Sequence, residues 1–538
     1  MRLALKTQIR LAVVALAIWA AALFLQHTTL GTRLPISPTV PWMGRTSQSS
    51  HHPVEILIRE AQEEFQRLIG RQSKTLESAK TEYQRRYAQH PPPGFDKWFS
   101  YAKSKGSLLI DDFDMINEGL SRLWRVDTGR LHENIDHASG LEHLALTKCG
   151  FRNGQYFTQG HHWIANDFGN LLKEVSQDIP DVDFLLNLLD EPRIIPTPQI
   201  IATGDASKPR FFKANHLPIW NHTIGFCVQD PLSQKPYTTY DFKIPLVRDW
   251  YREKDVCLHP EFALTHGFFS SPMTAILTNT HLPILSQAVP TSFGDIVYPS
   301  TWYADKMDQG DYDDERDPPW DQKAKKLYWA GSTTGSYSWN GSWRHSHRQR
   351  FVKLVQTLNS TNYTYLRESK PGHWVSYQAI EDHNSLFDVK FTDVIQCDLV
   401  DCKEQNQFFT VGEREAQIQQ FHAQFAFDID GNSFSGRFYT LLQSRSVVLK
   451  QSVFREWHDE RLVPWVHFIP ISLSMDELPE IMRYMTAHDD GKKRAREIAE
   501  AGREWHGKVL RKEDFTIYLY RLMLELARVI EHIRPVEG

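Results

Sequence analysis

Apolar and polar positions alternate most informatively between Phe425 and Lys450, FAFDIDGNSFSGRFYTLLQSRSVVLK. The run Phe425 to Ile429, interrupted by Asp428, reads as a strand that Asp430 and Gly431 end. A tight segment, GNSFSG, follows, and Arg437 opens a helix-like run with Phe438, Leu441 and Leu442 at helical spacing. Val447 to Leu449 form a second apolar strand. Strand, Gly-rich turn, helix and strand make a βαβ unit. In open α/β sheets ligands sit at the carboxyl ends of the strands, where helix N-termini turn bare N–H groups outward. Arg437 adds a planar fork suited to phosphate. The unit reads either as a holder for a phosphorylated ligand or as an ordinary βαβ unit with a solvated arginine.

The same pattern runs through the second half of the chain. KLYWAG, a basic helix from His345 to Leu358, YTYL, FAFDID, SVVL and WVHFIPI alternate strands with helices, which predicts a parallel sheet. Ser474 and Glu477 predict a capping box for the next helix. Two more helices are expected over about Lys492 to Leu510 and Asp514 to Ile533. An earlier unit contains DVDFLLNLLD, a buried strand with a polar tip, and ILTNTHLPILSQ. Between the two units lies DQGDYDDERDPPW, Asp308 to Trp320, whose charge and prolines predict a solvated linker, with metal binding by its carboxylates as the alternative. The expected domains are 95–319 and 320–538.

Upstream, Ala61, Phe65 and Leu68, then Leu76, Ala79, Tyr83 and Tyr87, lie on one face of two amphipathic helices that either pack on the body or self-associate. Pro91-Pro92-Pro93-Gly94 ends them. Residues 31–94 are thus a stem with helices, and 28–50 are rich in Thr, Ser, Pro and Gly. The first residues place Arg2, Lys6 and Arg10 before an apolar run from Leu11 to Leu25. At 1.5 Å per residue that run spans roughly 22 Å. Neutral residues to Thr32 extend it, and membranes of the early secretory pathway are thin. The expectation is a cytosolic tail at 1–10, a transmembrane signal anchor at 11–30, and a luminal body, a single-pass type II protein of Golgi or ER. The alternative is a signal cleaved at Ala20-x-Ala22, against which the apolar Leu23, Phe24 and Leu25 argue.

With 538 residues, 41% hydrophobic, the chain can bury a large core, and a net charge of −5 gives no push toward nucleic acid. N-x-S/T sequons at Asn221, Asn340, Asn359 and Asn362 fit a luminal body. Of five cysteines, Cys397 and Cys402 are close enough to bridge a short loop in an oxidising lumen. Their spacing also suits a metal pair, but no second pair completes a zinc set nearby, so a disulfide is favoured.

IPDVDFLLNLLDEPR (Ile179 to Arg193), PSTWY (Pro299 to Tyr303), LYWAGSTTGSYSW (Leu327 to Trp339), the 425–450 unit and EWHDERLVPWVHFIPI (Glu456 to Ile471) occur in this order. Together they resemble the CAP10-like glycosyltransferases, family GT90, which includes fungal capsule xylosyltransferases and animal protein O-glucosyltransferases. The resemblance covers roughly Pro91 to Arg521, and PPPGFDKWF (Pro91 to Phe99) is similar to the fungal branch. It implies an α/β, GT-B-like architecture: two Rossmann-like domains facing a cleft. It implies an inverting glycosyltransferase that moves xylose or glucose from a UDP-sugar to a hydroxyl of a glycan, polysaccharide or glycoprotein. The alternatives are a catalytically inactive glycan- or nucleotide-binding relative and, more remotely, a glycoside hydrolase.

Such a reaction needs a base for the acceptor hydroxyl and donors for the leaving diphosphate. Asp190 sits where the strand DFLLNLL stops, and Glu191-Pro192 turns the chain. In the resembling family the Asp of the N-x-x-D-x-P pattern, here Asn187, Asp190 and Pro192, is the proposed base. A turn Asp is the plain reading, and Glu191 and Asp181 are fallback bases. For the donor, the resemblance points to Gly331, Ser332, Thr333 and Thr334 in WAGSTTGS, and to Ser435, Gly436 and Arg437. Many relatives carry Arg where Ala330 stands, and Arg344, Arg348 or Arg350 are candidate substitutes, Arg348 foremost. Asp428-x-Asp430 resembles a metal-holding D-x-D, but DFD and DVD also occur at 112 and 181. The expectation is no required metal or other cofactor, with a divalent ion as the alternative. Trp302 and Tyr303 are acceptor-side candidates, whereas His266 and His467 read as structural.

Overall fold

A computed structural model describes residues 51–197, 208–227 and 242–530. The predicted tail, anchor and stem up to residue 50 lie outside the described residues. Among the described residues no helix is long and apolar enough to cross a membrane.

The first half carries strands β1 (Leu146–Arg152), β2 (Gln155–Thr158), β3 (Val182–Asn187), β4 (Phe211–Lys213), β5 (Ile276–Thr278), β6 (Ile284–Ser286) and β7 (Ile296–Val297). The second half carries β8 (Ala324–Ser332), β9 (Tyr363–Lys370), β10 (His373–Ala379), β11 (Phe387–Asp393), β12 (Ala423–Ile429), β13 (Val447–Gln451) and β14 (Ile469–Pro470). Five strands of each half form a sheet, in the orders β2-β1-β3-β6-β7 and β11-β8-β12-β13-β14.

The second sheet is wholly parallel, as the alternating pattern predicts. β12 is buried at every position, because helices cover both faces of a parallel sheet and leave no polar side. YTYL, however, is not part of it: β9 pairs antiparallel with β10 in a separate hairpin. The first sheet also departs from the Rossmann-like expectation. β1 runs antiparallel to both β2 and β3, and only β3, β6 and β7 are parallel. The cause is local. Asn153 and Gly154 both have positive φ, 50° and 73°, so the chain reverses through a two-residue turn and its strands must pair antiparallel.

Two apolar cores follow the two sheets. The chain crosses between them at both ends. The helix Pro53–Gly70 places Val54, Leu57 and Ile58 in the second core and Leu68 in the first, so this part of the stem packs on the body. His52 pairs with Glu480 at 3.0 Å, and Glu55 with Arg494 at 2.9 Å. At the other end the helix Lys512–Ile530 returns to the first core, where it packs on β3 and on the helices Phe95–Ser104 and Trp163–Leu172. The second sheet's share of 320–538 therefore stops before this helix.

The acidic segment is no free linker. Asp317 is buried against Lys323, while Asp314 pairs with Arg445 at 2.9 Å and also with Arg503. The capping box at Ser474 does not form. Glu477 is itself the cap residue of the helix Leu478–Ala487, and its carboxylate accepts hydrogen bonds from the Ser472 amide at 2.5 Å and hydroxyl at 2.9 Å. The basic helix spans His347–Gln356, and the later two span Asp489–Val509 and Lys512–Ile530.

Candidate active site

β3 ends at Asn187, whose side chain holds the following turn. Its amide donates to Glu191 O at 2.9 Å and Ser286 Oγ at 3.0 Å. Its carbonyl oxygen accepts from Leu189 N at 3.1 Å and Arg193 Nε at 2.8 Å. Arg193 is fully buried below and donates to Leu144 O at 2.7 Å. With the turn fixed from beneath, Asp190 faces outward and is exposed, yet it sits in a crevice where desolvation raises its carboxyl above the ordinary range. Its carboxylate meets the side-chain amide of Asn432, from the loop after β12. Glu191 turns the other way. It is buried, accepts from Thr274 N at 2.9 Å and from the Thr274 hydroxyl, and burial pushes it up to about 7. Asp181 lies at the opposite end of β3 and accepts from Asn153 N at 2.8 Å, so it is not at this crevice.

Asn432 also ties in the loop after β8: its Oδ1 accepts from Gly335 N at 3.2 Å. Arg348 binds the two loops together. It donates to Asp430 O at 2.7 Å, Ser332 O at 3.1 Å, Thr334 Oγ1 at 2.6 Å and Ile429 O at 3.3 Å. Of the three arginines expected to compensate for Ala330, only this one reaches the loop. Arg344 pairs with Glu404 at 2.9 Å, and Arg350 donates to Leu473 O at 2.9 Å. Arg437 donates to the Ala330 carbonyl itself at 2.7 Å. Both guanidiniums flank Trp329, with carbons 5.7 Å and 5.9 Å from its ring centre. A Cβ at Gly331 would stand 2.8 Å from that ring and 3.0 Å from Arg437 Nη2, so the loop requires glycine there.

Burial and the Arg437 charge push Arg348 down to about 9, and burial also lowers Arg437. A guanidinium does not release its proton at neutral pH. Burial and the neighbouring Arg437 charge instead make this an unfavourable setting for positive charge. An anion at the two guanidiniums would relieve it. The helix after Arg437, Phe438–Gln443, has only six residues, so the arginine pair is the stronger source of positive potential than the helix terminus.

The Asp-x-Asp carboxylates are engaged inside the protein. Asp428 accepts from Lys450 Nζ at 2.8 Å, and Asp430 accepts from Val453 N at 2.9 Å and lies 3.3 Å from His266 Nε2. Both are about 1% exposed. Among the described residues no group of His, Cys, Asp and Glu is arranged to hold a metal.

The first half docks directly on this loop. His266 and His347 stack at 4.0 Å, and Gly267 N donates to His347 Nδ1 at 3.3 Å. The proton therefore sits on His347 Nε2, which donates to Asp430 O at 2.9 Å. Burial lowers both rings, His266 to about 3, so both are neutral and structural. His467, stacked on Trp505, is likewise buried and structural. A Cβ on Gly267 would overlap Gly335 O and Ser336. Tyr303 is 1% exposed, stacks on Tyr439 at 3.9 Å, and donates to Glu456 at 2.7 Å and Ser435 O at 3.0 Å. It braces the loop after β12, and its burial leaves it no open face for the acceptor-side role expected of it. Trp302 is 43% exposed, with its indole edge against Gly436.

Cys397 and Cys402 form a disulfide, which staples the turn directly after Ile395 and Gln396, the residues that bond Thr333 and Gly335. A second disulfide joins Cys227 to Cys257, a pair that a separation of 30 positions leaves without a local sequence signal; Cys149 is free and buried. The four sequon asparagines are all exposed. Cavities of about 810 Å³ beside Arg122 and about 530 Å³ beside Arg511 are lined by none of Asp190, Arg348 and Arg437. The candidate site is an open crevice between loops.

Residues 272–536, just under half of the chain, match the sequence model of glycosyl transferase family 90. An O-glucosyltransferase rumi homolog of Aedes aegypti is 32% identical over 111 residues, 20% of this chain and 27% of that protein. Protein O-glucosyltransferase 1 of Homo sapiens is 31% identical over 111 residues, again 20% and 27%. An uncharacterized protein 035R of Invertebrate iridescent virus 3 is 24% identical over 264 residues, 46% of this chain and 21% of that protein. The chain thus spans about a quarter of the length of the curated relatives it matches.

Proposed function

We propose, from the match of residues 272–536 to the glycosyl transferase family 90 model, that the protein transfers a sugar from a UDP-sugar to an acceptor hydroxyl with inversion. The observation that carries this reading is the meeting of Asp190 with Asn432, five residues before Arg437 on one short loop. A carboxylate with raised proton affinity and two desolvated guanidiniums therefore share one crevice. Asp190 takes the proton of the acceptor hydroxyl. The oxygen attacks the anomeric carbon as the bond from that carbon to the diphosphate breaks. Arg437, with N–H groups beyond the one given to Ala330 O, takes the charge of the departing UDP, and Arg348 holds both loops in place. The positive charge that a divalent ion supplies elsewhere comes here from guanidinium, and the Asp-x-Asp pair keeps its internal partners.

Xylose or glucose is the favoured donor sugar, and a glycan, polysaccharide or glycoprotein the acceptor. The names of the glucosyltransferase relatives support transfer to a hydroxyl. Two disulfides and four exposed sequons support a luminal body behind a type II anchor in Golgi or ER. The test is a panel of UDP-sugars offered with saccharide and peptide acceptors. Transfer should be found for at least one donor and fall by roughly 10²–10⁴ in Asp190→Asn. Full transfer by that variant removes the base assignment. The departure at Ala330 favours a second reading, a binder without turnover, and UDP binding with no donor consumed would select it.

A further inference from the structure

Two exposed tryptophans meet at the mouth of the same crevice. Trp163 is 40% exposed and Trp302 43%, with ring centroids 5.7 Å apart. Topology explains their meeting. β2 and β3 both pair antiparallel with β1, so they point the same way, and β7 runs parallel to β3 through β6. The helices Trp163–Leu172 and Thr301–Gln309 follow β2 and β7, so each starts on the rim where Asp190 follows β3. Caps fix both first turns: His162 accepts from Ile164 N at 3.3 Å and Ser300 from Trp302 N at 3.2 Å. Trp302 then touches Gly436, the residue before Arg437.

Each ring has a carboxylate on its own helix, Asp167 four residues after Trp163 and Asp305 three after Trp302. The two carboxylates are half-buried and close enough to repel. Single exposed aromatics are ordinary, but two rings in contact beside a crevice, flanked by acceptor-only oxygens, match one chemistry. A sugar ring lays a face of C–H groups on an aromatic ring and offers hydroxyl donors at its edge.

We propose that Trp163 and Trp302, with Asp167 and Asp305, form a subsite that stacks a sugar ring of the acceptor glycan next to the transfer centre. The proposal rests on the transferase reading for the word acceptor, and on geometry alone for the binding of saccharide. Lys306 Nζ stands over the Trp302 ring, 5.7 Å from its centre, and is paired with Asp311.

The test uses the full chain in detergent, loaded with UDP, on an array of gluco-, manno-, xylo- and galacto-oligosaccharides, with hits titrated by calorimetry. The wild type should bind at least one saccharide. Trp163→Ala should weaken it about tenfold, equivalent to roughly 1.4 kcal/mol. Trp163→Phe, which keeps a ring, should lose less, and UDP affinity should not change. No saccharide bound by the wild type, an alanine variant that binds as tightly, or a loss confined to UDP-sugar affinity would each overturn the proposal. Saccharide binding that depends on Trp163 but comes with no transfer would leave the platform standing and remove the transferase reading alone.

Discussion

Replacing Arg437 by Ala separates ligand binding from folding, and the geometry sets the size of each effect. Arg437 gives one hydrogen bond to the protein, to Ala330 O at 2.7 Å. If its remaining N–H groups make two bonds to a diphosphate, each charge-assisted bond is worth roughly 1.5–3 kcal/mol. The loss is then about 3–6 kcal/mol, or a UDP dissociation constant about 10²–10⁴ higher. Folding should change little. The variant leaves one carbonyl without its donor, a cost of about 1–3 kcal/mol, but it also removes a desolvated charge that repels Arg348. Arg348→Met is the contrast. Four bonds from a guanidinium that is 8% exposed tie the two loops, so both UDP affinity and stability should fall. Calorimetric titration with UDP and urea unfolding of both variants measure this. An Arg437→Ala protein that binds UDP like the wild type refutes the diphosphate assignment. One that loses stability as Arg348→Met does would make Arg437 a structural residue.

Gly267→Ala forces a Cβ against Gly335 O and should cost about 1–3 kcal/mol while weakening UDP binding; Gly507→Ala, a helix position with nothing within 4 Å, is the contrast and should gain up to about 1 kcal/mol with UDP binding unchanged. Glu191 is raised from 4.5 to about 7, so the stability tied to its proton is complete below pH 4.5 and is lost as pH rises through 7. Glu191→Gln should remove about 3 kcal/mol of that decline in urea unfolding between those pH values, and an unchanged slope would contradict it. Ile58→Ala should cost about 2–5 kcal/mol at every protein concentration, because the helix packs into the second core; a concentration-dependent loss would point to self-association instead.

Strands alternating with helices marked the parallel second sheet, and β12 and β13 are buried at every position, as a sheet covered on both faces requires, while β8 is exposed at its start. The antiparallel β1–β2 hairpin has a local signal too, the dipeptide Asn153-Gly154 between β-rich runs. The failed capping box shows the limit of a local rule. Glu477 finds the Ser472 amide within reach once the chain bends, and that bond replaces the one to Ser474.

By itself the sequence determined the chemistry on offer: a carboxylate ending a buried strand, small residues in two loops, arginines nearby, and cysteines five apart. These are short-range properties, set by spacing along a few turns or strands. Which arginine serves, which aromatic is free and which acid faces the crevice were decided only by tertiary structure. Arg344, Arg348 and Arg350 are nearly equivalent on paper, and helix orientation against β8 and β12 singles out Arg348. Trp302 and Tyr303 are neighbours in sequence, yet their side chains leave the helix in different directions. One is buried on Tyr439 and the other lies open beside Trp163. Asp190 and Arg437 are 247 positions apart, and no local pattern can encode the contact of two loops that belong to different sheets.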